Sequence, residues 1–170
     1  MGIRISSMNA PERPRLFSHL TRTRFLHIED ALERGKLRFF IGSFEKGRGS
    51  NSTAYAFLDV DDARVVLSDL SWGKPVEFID FKGGRGSNNF LVSRVLKIET
   101  KQDKVWIEVR NGPGQELGEG AVRPNGKGVS VSMPLTIFEG RKMGFACLAY
   151  VQAWEIAKAI SDQHPVISKQ

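Results

Sequence analysis

The feature that most constrains this chain is an eight-residue motif that occurs twice, at residues 44–51 and 81–88. The two copies lie 37 residues apart, share six of their eight residues and both end in Gly-Arg-Gly-Ser-Asn. Each copy follows a strand-like stretch and precedes another, which is the pattern of a β-hairpin turn. A motif repeated in this way indicates a duplicated structural unit. We therefore predict an α+β fold of duplicated antiparallel β-sheet units, each followed by a helix.

Alternating and β-branched residues indicate the strands around these turns. We predict strands at residues 37–44, 52–59, 76–81, 90–100, 104–110 and 129–133. The short polar segment 101–103 is typical of a tight hairpin turn between two of them. The stretch 111–128 contains six glycines and two prolines without a periodic apolar face, so we expect an exposed, mobile loop there.

Helix-end signals predict three helices. Residues 28–34 precede Gly35, and a second helical pattern that starts near residue 61 ends before Gly73. Thr136 and Glu139 form a Thr-x-x-Glu capping box, which begins a helix that we expect to continue to about residue 160. The expected buried face of this long helix consists of Phe138, Phe145, Leu148, Val151, Ile156 and Ile160. Two glycines within it, Gly140 and Gly144, indicate close packing against a neighbouring backbone.

Charge and length set the domain organisation and the class of partner. The chain has a net charge of +6 and an isoelectric point of about 9.7, which favours polyanionic partners. Its 170 residues suit one domain with a single core. We predict a basic, partly disordered arm at residues 1–27, a β-rich domain at residues 28–161 and a tail at residues 162–170.

Several kinds of chemistry have no residues to support them. The only cysteine, Cys147, lies in a small-apolar helical stretch, so we expect a buried structural thiol and no intramolecular disulfide. The three histidines are scattered, and no nucleophile lies beside a base. We therefore predict no catalytic activity, no metal and no cofactor. Without a membrane-length apolar run or a secretory signal, we expect a cytoplasmic protein.

The two repeated turns supply groups that bind phosphate. Glycines let a ligand approach the backbone closely, and Arg, Ser and Asn side chains donate hydrogen bonds to phosphate and sugar oxygens. The predicted nucleic-acid contacts in the two copies are Lys46, Arg48, Ser50, Asn51, Lys82, Arg85, Ser87 and Asn88. The alternative is that both segments are passive hairpin connections.

Aromatic residues on strand faces supply the second expected type of contact. Val105, Ile107 and Val109 form one face of a strand, so Trp106 and Arg110 lie on the other, next to Lys97 of the preceding strand. Tyr55 is exposed by the same alternation in the first unit. Single strands are held by stacking of bases on such rings beside a positive groove. The alternative is that the long helix or a second subunit covers Trp106.

The end of the sheet and the start of the last helix carry a family resemblance. The stretch Val-Ser-Met-Pro-Leu-Thr-Ile-Phe-Glu at residues 131–139, followed by an aromatic-aliphatic helix through Trp154, resembles the fold shared by Whirly proteins, Pur repeats and related single-stranded-DNA-binding transcriptional cofactors. The resemblance covers residues 37–160. It implies curved antiparallel sheets that bind single strands, helices packed behind those sheets, and dimers formed through the helices.

Together these features predict a non-catalytic protein that binds single-stranded DNA and takes part in transcription regulation. Stacking and phosphate contacts are equally compatible with RNA, so an RNA-binding protein is one alternative. A protein-interaction scaffold with passive repeat turns is the other. We expect a homodimer or a higher homo-oligomer, and no association with membranes.

Overall fold

The protein folds into two antiparallel β-sheets, each followed along the chain by a helix. The computed structural model describes residues 12–45, 47, 49–118 and 121–163. Its strands are β1 (Arg15–Leu20), β2 (Arg24–Ala31), β3 (Lys36–Glu45), β4 (Gly49–Asp59), β5 (Glu77–Arg85), β6 (Leu91–Lys101), β7 (Lys104–Gly118), β8 (Ala121–Pro124) and β9 (Val129–Thr136). The helices are α1 (Val60–Ser71) and α2 (Ile137–Gln163). The α+β prediction of duplicated sheet units is confirmed.

Sheet 1 contains the first four strands in the order β1-β2-β3-β4. Sheet 2 has the order β5-β6-β7, and the long β7 then pairs with β9 along its first part and with β8 along its last part. Alternation decides the faces of both sheets, because successive side chains of a strand point to opposite sides. In β3, Leu37, Phe39 and Ile41 are fully buried, so Arg38 and Phe40 lie on the outer face of sheet 1.

The predicted arm is wrong for residues 15–27, because these residues form β1, a short connection and the first half of β2. Leu26 and Ile28 are completely buried and anchor β2 in sheet 1. The predicted helix at residues 28–34 is also wrong, except for a single 3₁₀ turn at Leu32–Arg34. Gly35 ends that turn with a φ of 66°, a conformation that glycine adopts without steric cost. Burial of the alternating apolar residues therefore outweighed the local helical pattern.

The expected loop at residues 111–128 is instead largely a β-hairpin formed by the end of β7 and by β8. Val122 of β8 is buried, and a Cβ at Gly83 or Gly114 would lie within 2.5 Å of its side-chain atoms. Glycine at these two positions therefore makes room for Val122. The glycines that suggested mobility from the sequence serve close packing here.

The capping box at the start of α2 is confirmed. The Thr136 amide donates to Glu139 Oε2 at 2.8 Å, and the Glu139 amide donates to Thr136 Oγ1 at 3.1 Å. The Thr136 amide holds the pKa of Glu139 below its ordinary value, because its hydrogen bond to the charged carboxylate is stronger than one to the protonated acid. No helix among the described residues is long and apolar enough to cross a membrane.

The predicted buried face of α2 is wrong except at Val151 and, in part, Leu148. The residues that α2 buries are Gly140, Met143, Gly144, Cys147 and Val151. The exposed residues include Phe138, Phe145, Ile156 and Ile160, each with more than half of its surface in solvent. The two glycines decide which side turns inward, because they admit the closest approach. As expected, Gly140 lies against Val105, Gly144 lies against the backbone of α1, and Cys147 is buried.

Candidate nucleic-acid interface

The two copies of the repeated motif form hairpin turns at different places in the two sheets. The first copy joins the third and fourth strands of sheet 1, whereas the second joins the first two strands of sheet 2. Gly47 and Gly49 adopt φ values of 84° and 74°, but in the second turn the left-handed residue is Asn89, with a φ of 60°. The two turns are therefore not structurally equivalent, although their sequences repeat.

The predicted contact residues of these turns have different surroundings. Lys46, Arg48 and the side chain of Ser50 lie outside the described residues. Asn51 Nδ2 donates to Glu45 Oε1 at 3.1 Å, and Arg85 Nη1 donates to the Asn89 carbonyl at 3.2 Å.

The tip of the second turn is open to solvent. Ser87 and Asn88 are exposed there, next to Phe90, which is 74% exposed. Phe90 was not singled out from the sequence, because it was assigned to the start of the strand predicted at residues 90–100, whereas β6 begins at Leu91. The tip therefore presents polar donors and a ring together.

Three predicted residues, Lys97, Trp106 and Arg110, lie together on the outer face of sheet 2. Helix α2 is on the opposite face, where Gly140 lies against Val105. The alternative in which the helix covers Trp106 is therefore excluded. Trp106 is half-buried by its neighbours in the sheet itself.

Positive charge on this face is balanced by carboxylates. Two adjoining cavities of about 260 and 180 Å³ share Lys97 and Glu108. Lys97 Nζ forms an ion pair with Glu99 at 2.7 Å, and Arg110 Nη2 donates to the Gly126 carbonyl at 2.9 Å. This face offers aromatic and apolar surface but little net attraction for a polyanion.

The two sheets meet at a row of three polar residues that we call the polar row: Lys82, Arg94 and Asn111. These residues are direct cross-strand neighbours on β5, β6 and β7. All three contact β4, the edge strand of sheet 1. Lys82 Nζ donates to the Phe57 carbonyl at 3.3 Å, and Arg94 Nη2 donates to the Tyr55 hydroxyl at 3.0 Å. The polar row therefore connects sheet 2 to the edge strand of sheet 1.

Asn111 makes the most specific contact of the polar row. Its Oδ1 accepts from the Tyr55 amide at 2.8 Å, and its Nδ2 donates to the Tyr55 carbonyl at 2.8 Å. One side-chain amide thus pairs with both backbone groups of a residue 56 positions away, as a neighbouring strand would. The backbone of Tyr55 is therefore hydrogen-bonded to a residue of sheet 2.

Lys82 belongs to an ion-pair network. Its ammonium lies 2.7 Å from a carboxylate oxygen of both Asp59 and Asp80, and Lys36 also contacts Asp59. Burial acts to raise the pKa of Asp59, but hydrogen bonds from the two lysines outweigh it and the pKa is lowered. Burial likewise acts to lower the pKa of Lys82, and hydrogen bonds to the two aspartates raise it. The charge of Lys82 is therefore already compensated within the protein.

A concave surface, here called the corner cleft, lies where the outer face of sheet 1 meets the polar row. Its cavity measures about 590 Å³. The lining residues are Arg13, Arg34, Arg38, Arg94, Glu12, Glu29, Tyr55 and Phe57. Four arginines against two glutamates leave this surface positive, in contrast to the outer face of sheet 2.

Guanidinium groups and rings are stacked in the corner cleft. The Arg38 guanidinium carbon lies 4.6 Å from the ring centroids of both Phe40 and Tyr55, and that of Arg94 lies 4.9 Å from the Tyr55 centroid. Arg38 Nη1 is also held by Glu29 at 2.5 Å. Rings and guanidinium planes are the two surfaces on which nucleic-acid bases stack.

The aromatic surface continues across sheet 1 away from the corner cleft. Phe25 contacts Phe40 and Phe44, with ring centroids 5.2 and 6.1 Å apart, and stacks on His27 at 5.0 Å. The Phe25 ring lies over Gly42, where a Cβ would be 2.4 Å from a ring atom. Burial, and then the charge of Arg15, lowers the pKa of His27. This surface is therefore apolar and half-buried.

The sequence identified Tyr55 and Lys82 in this region but missed Arg38 and Arg94. Arg38 could have been predicted from the sequence, because it lies between the apolar residues of β3 by the same alternation that exposes Tyr55. Arg94 offered no local signal: it shares its face of β6 with buried Leu96 and Ile98, and only the junction of the sheets turns it toward the cleft.

Comparisons with known proteins identify the fold. The sequence matches no family model and no curated protein. The structure is similar to WHY1 from Arabidopsis thaliana, with a TM-score of 0.55 and 16% identity over 95% of this chain and 98% of that one. It is also similar to the plant transcriptional regulator PBF-2, with a TM-score of 0.55 and 14% identity over 88% and 87% of the two chains. The chain therefore shares the fold of these proteins.

Proposed function

Because the chain has a Whirly-like fold, we propose that it is a non-catalytic nucleic-acid-binding protein that binds single-stranded DNA in preference to duplex and RNA. The observation that carries this proposal is the corner cleft, where Arg38 and Arg94 both stack on Tyr55 in a positive cavity. The proposed path of the strand runs from this cleft across the rings of sheet 1, from Tyr55 and Phe57 toward Phe25.

The cleft provides both forces that hold a single strand. Unpaired bases stack on aromatic side chains for about 1–3 kcal/mol each, and arginines attract the phosphates. In a duplex, the faces of the bases are covered by their neighbours, so this stacking surface has nothing to bind. Preference for single strands follows from that geometry.

A role in transcription regulation is proposed on the likeness to PBF-2, which is a plant transcriptional regulator. A cytoplasmic location is proposed from the sequence alone. A second candidate function, that of a protein-interaction scaffold, is supported by the charge-balanced outer face of sheet 2. Ile79 and Phe81 are about half exposed there, a feature typical of protein contacts.

We also propose that the protein is a homodimer or a higher homo-oligomer joined through α2. Phe138, Phe145 and Ile156 are exposed on one side of this helix, and exposed apolar side chains of this size favour association. Light scattering at micromolar concentration should give at least twice the monomer mass, and Phe145→Lys should reduce it. A monomer mass for the unaltered protein would contradict this proposal.

The function is tested by fluorescence polarisation with one labelled sequence as single-stranded DNA, duplex DNA and RNA, each at two salt concentrations. The unaltered protein should bind single-stranded DNA most tightly. Phe57→Ala should weaken binding by about 1–3 kcal/mol if one base stacks there. Trp106→Ala is the matched control on sheet 2 and should leave affinity unchanged.

Each other outcome selects a different function. Equal or tighter binding to duplex would refute the preference for single strands, and tighter binding to RNA would favour the RNA alternative. Absence of binding to all three would favour the scaffold. If Trp106→Ala weakens binding and Phe57→Ala does not, the interface lies on sheet 2.

A further inference from the structure

Arg94 differs from the other cations of the corner cleft in having a buried donor without an acceptor. Its Nε is inaccessible to solvent and has no hydrogen-bond partner among the described residues. No described carboxylate forms an ion pair with its guanidinium, whose one side-chain hydrogen bond goes to the neutral Tyr55 hydroxyl. By contrast, Glu29 compensates Arg38, and two aspartates compensate Lys82.

The neighbours of Arg94 cannot supply the missing acceptor. Lys82 lies on one side in the polar row and has only donors. Asn111 lies on the other side, and both of its polar groups are engaged by the Tyr55 backbone. A buried donor left unpaired destabilises a protein, so such a group commonly marks the position of a ligand or an ordered water.

The second repeated turn contributes space beside this guanidinium. A Cβ at Gly84 would lie 3.6 Å from Arg94 Nη1, so a larger side chain on β5 would occupy the surface next to it. Glycine keeps this approach open. Gly84 of the second motif copy thus lies beside the Arg94 guanidinium, although the arginine of that copy, Arg85, lies toward the tip of the turn.

We propose that Arg94 is the phosphate site of the corner cleft, where one phosphate group of a single-stranded nucleic acid binds through Nη1, on the side of the guanidinium that Gly84 leaves open. This inference rests on the proposed function and names the group that the site recognises. A phosphate offers several acceptor oxygens to the planar donor set of arginine. A phosphate also carries the negative charge that Arg94 lacks as a partner, because no described carboxylate forms an ion pair with this residue. Arg38, already neutralised by Glu29, supplies stacking surface instead.

The experiment measures binding of single-stranded oligothymidylate at several salt concentrations to the full chain and to Arg94→Gln. The variant should lose about tenfold or more in affinity, as expected for one charged hydrogen bond. The slope of log K against log salt should fall by about 0.7, because one phosphate contact is removed. Arg94→Lys keeps the charge and should restore the slope without restoring the full affinity. Arg123→Gln, an exposed site on β8, is the control and should change neither.

A second measurement does not depend on a variant that folds. In ¹³C,¹⁵N-labelled unaltered protein, the Arg94 Nε–H resonance, assigned by through-bond correlation to the Arg94 backbone, should shift when oligothymidylate is added. It should move much less with an oligonucleotide whose backbone is made neutral by methylphosphonates.

The outcomes separate this inference from the proposed function. If oligothymidylate binds the unaltered protein but the Arg94 resonance does not move, the phosphate site is wrong and the function stands. The same conclusion follows if Arg94→Gln folds and keeps the original slope. If the unaltered protein binds no single strand at all, both proposals are refuted.

Discussion

Replacement of Asn111 by alanine tests whether the polar row holds the two sheets together. The side chain forms two hydrogen bonds of 2.8 Å with the Tyr55 backbone. Each such bond contributes about 0.5–1.5 kcal/mol to stability, so their joint loss should lower the free energy of unfolding by about 1–3 kcal/mol. The value should fall in the upper part of this range, because the backbone amide and carbonyl of Tyr55, a half-buried residue, both lose these partners.

Urea denaturation followed by circular dichroism measures this loss, with Asn125→Ala as the matched control. Asn125 is exposed, and its side chain makes no hydrogen bond to a described residue, so its replacement should change stability by less than about 0.5 kcal/mol. The dependence of unfolding on urea should stay the same for both variants. An equally small loss for Asn111→Ala would refute the role assigned to this contact.

The same variant makes a distinct prediction for binding. Without Asn111, β4 is no longer fixed against sheet 2, and Tyr55 is free to move relative to Arg94. Affinity for oligothymidylate should fall, but the salt dependence should not change because no phosphate contact is removed. A reduced salt slope for Asn111→Ala would mean that this residue contacts the strand directly.

Three further predictions concern the helices. Glu139→Gln should remove a stabilisation that is present above the ordinary pKa of 4.5 and lost as pH falls through the lowered folded-state pKa; the two proteins should therefore unfold alike at low pH and differ at neutral pH. Gly144→Ala should lower the melting temperature, because the added Cβ would lie 2.5 Å from the Leu67 carbonyl oxygen; overpacking costs about 1–3 kcal/mol, more than the roughly 1 kcal/mol gained in helix propensity. Burial raises the pKa of the Cys147 thiol to about 12, so a thiol reagent at pH 8 should modify it only after unfolding, and rapid modification of the native protein would contradict its burial.

Features that depend on neighbours in the chain were predictable from the sequence. Alternation placed Tyr55 and Trp106 on outer faces, because side chains along a strand must point to opposite sides. The Thr136 capping box set the start of α2 through contacts within one turn. The polar turn at Gln102 and Asp103 was found for the same reason, since both residues adopt positive φ, 52° and 56°, as a tight hairpin requires.

Local sequence patterns gave wrong predictions where tertiary packing determines the secondary structure or the buried face of an element. Residues 24–31 carry basic and helix-like patterns, but burial of Leu26 and Ile28 makes this segment a strand. The exposed rings of α2, among them Phe145, are as apolar as its buried residues. Only the close approach to α1 and β7 showed that Gly140 and Gly144 select the inward side.

The candidate site likewise has features that the sequence predicts and features that depend on tertiary packing. The sequence determined that the chain is basic, forms paired strands and exposes rings on them, because composition and periodicity are properties of the chain itself. It did not determine which cations meet those rings. Asn111 lies 56 residues from Tyr55, and Arg94 faces the cleft only because two sheets meet at the polar row. The way the two sheets pack depends on the shapes of their complete packed faces. Tertiary structure alone therefore decided where positive charge and aromatic surface lie together.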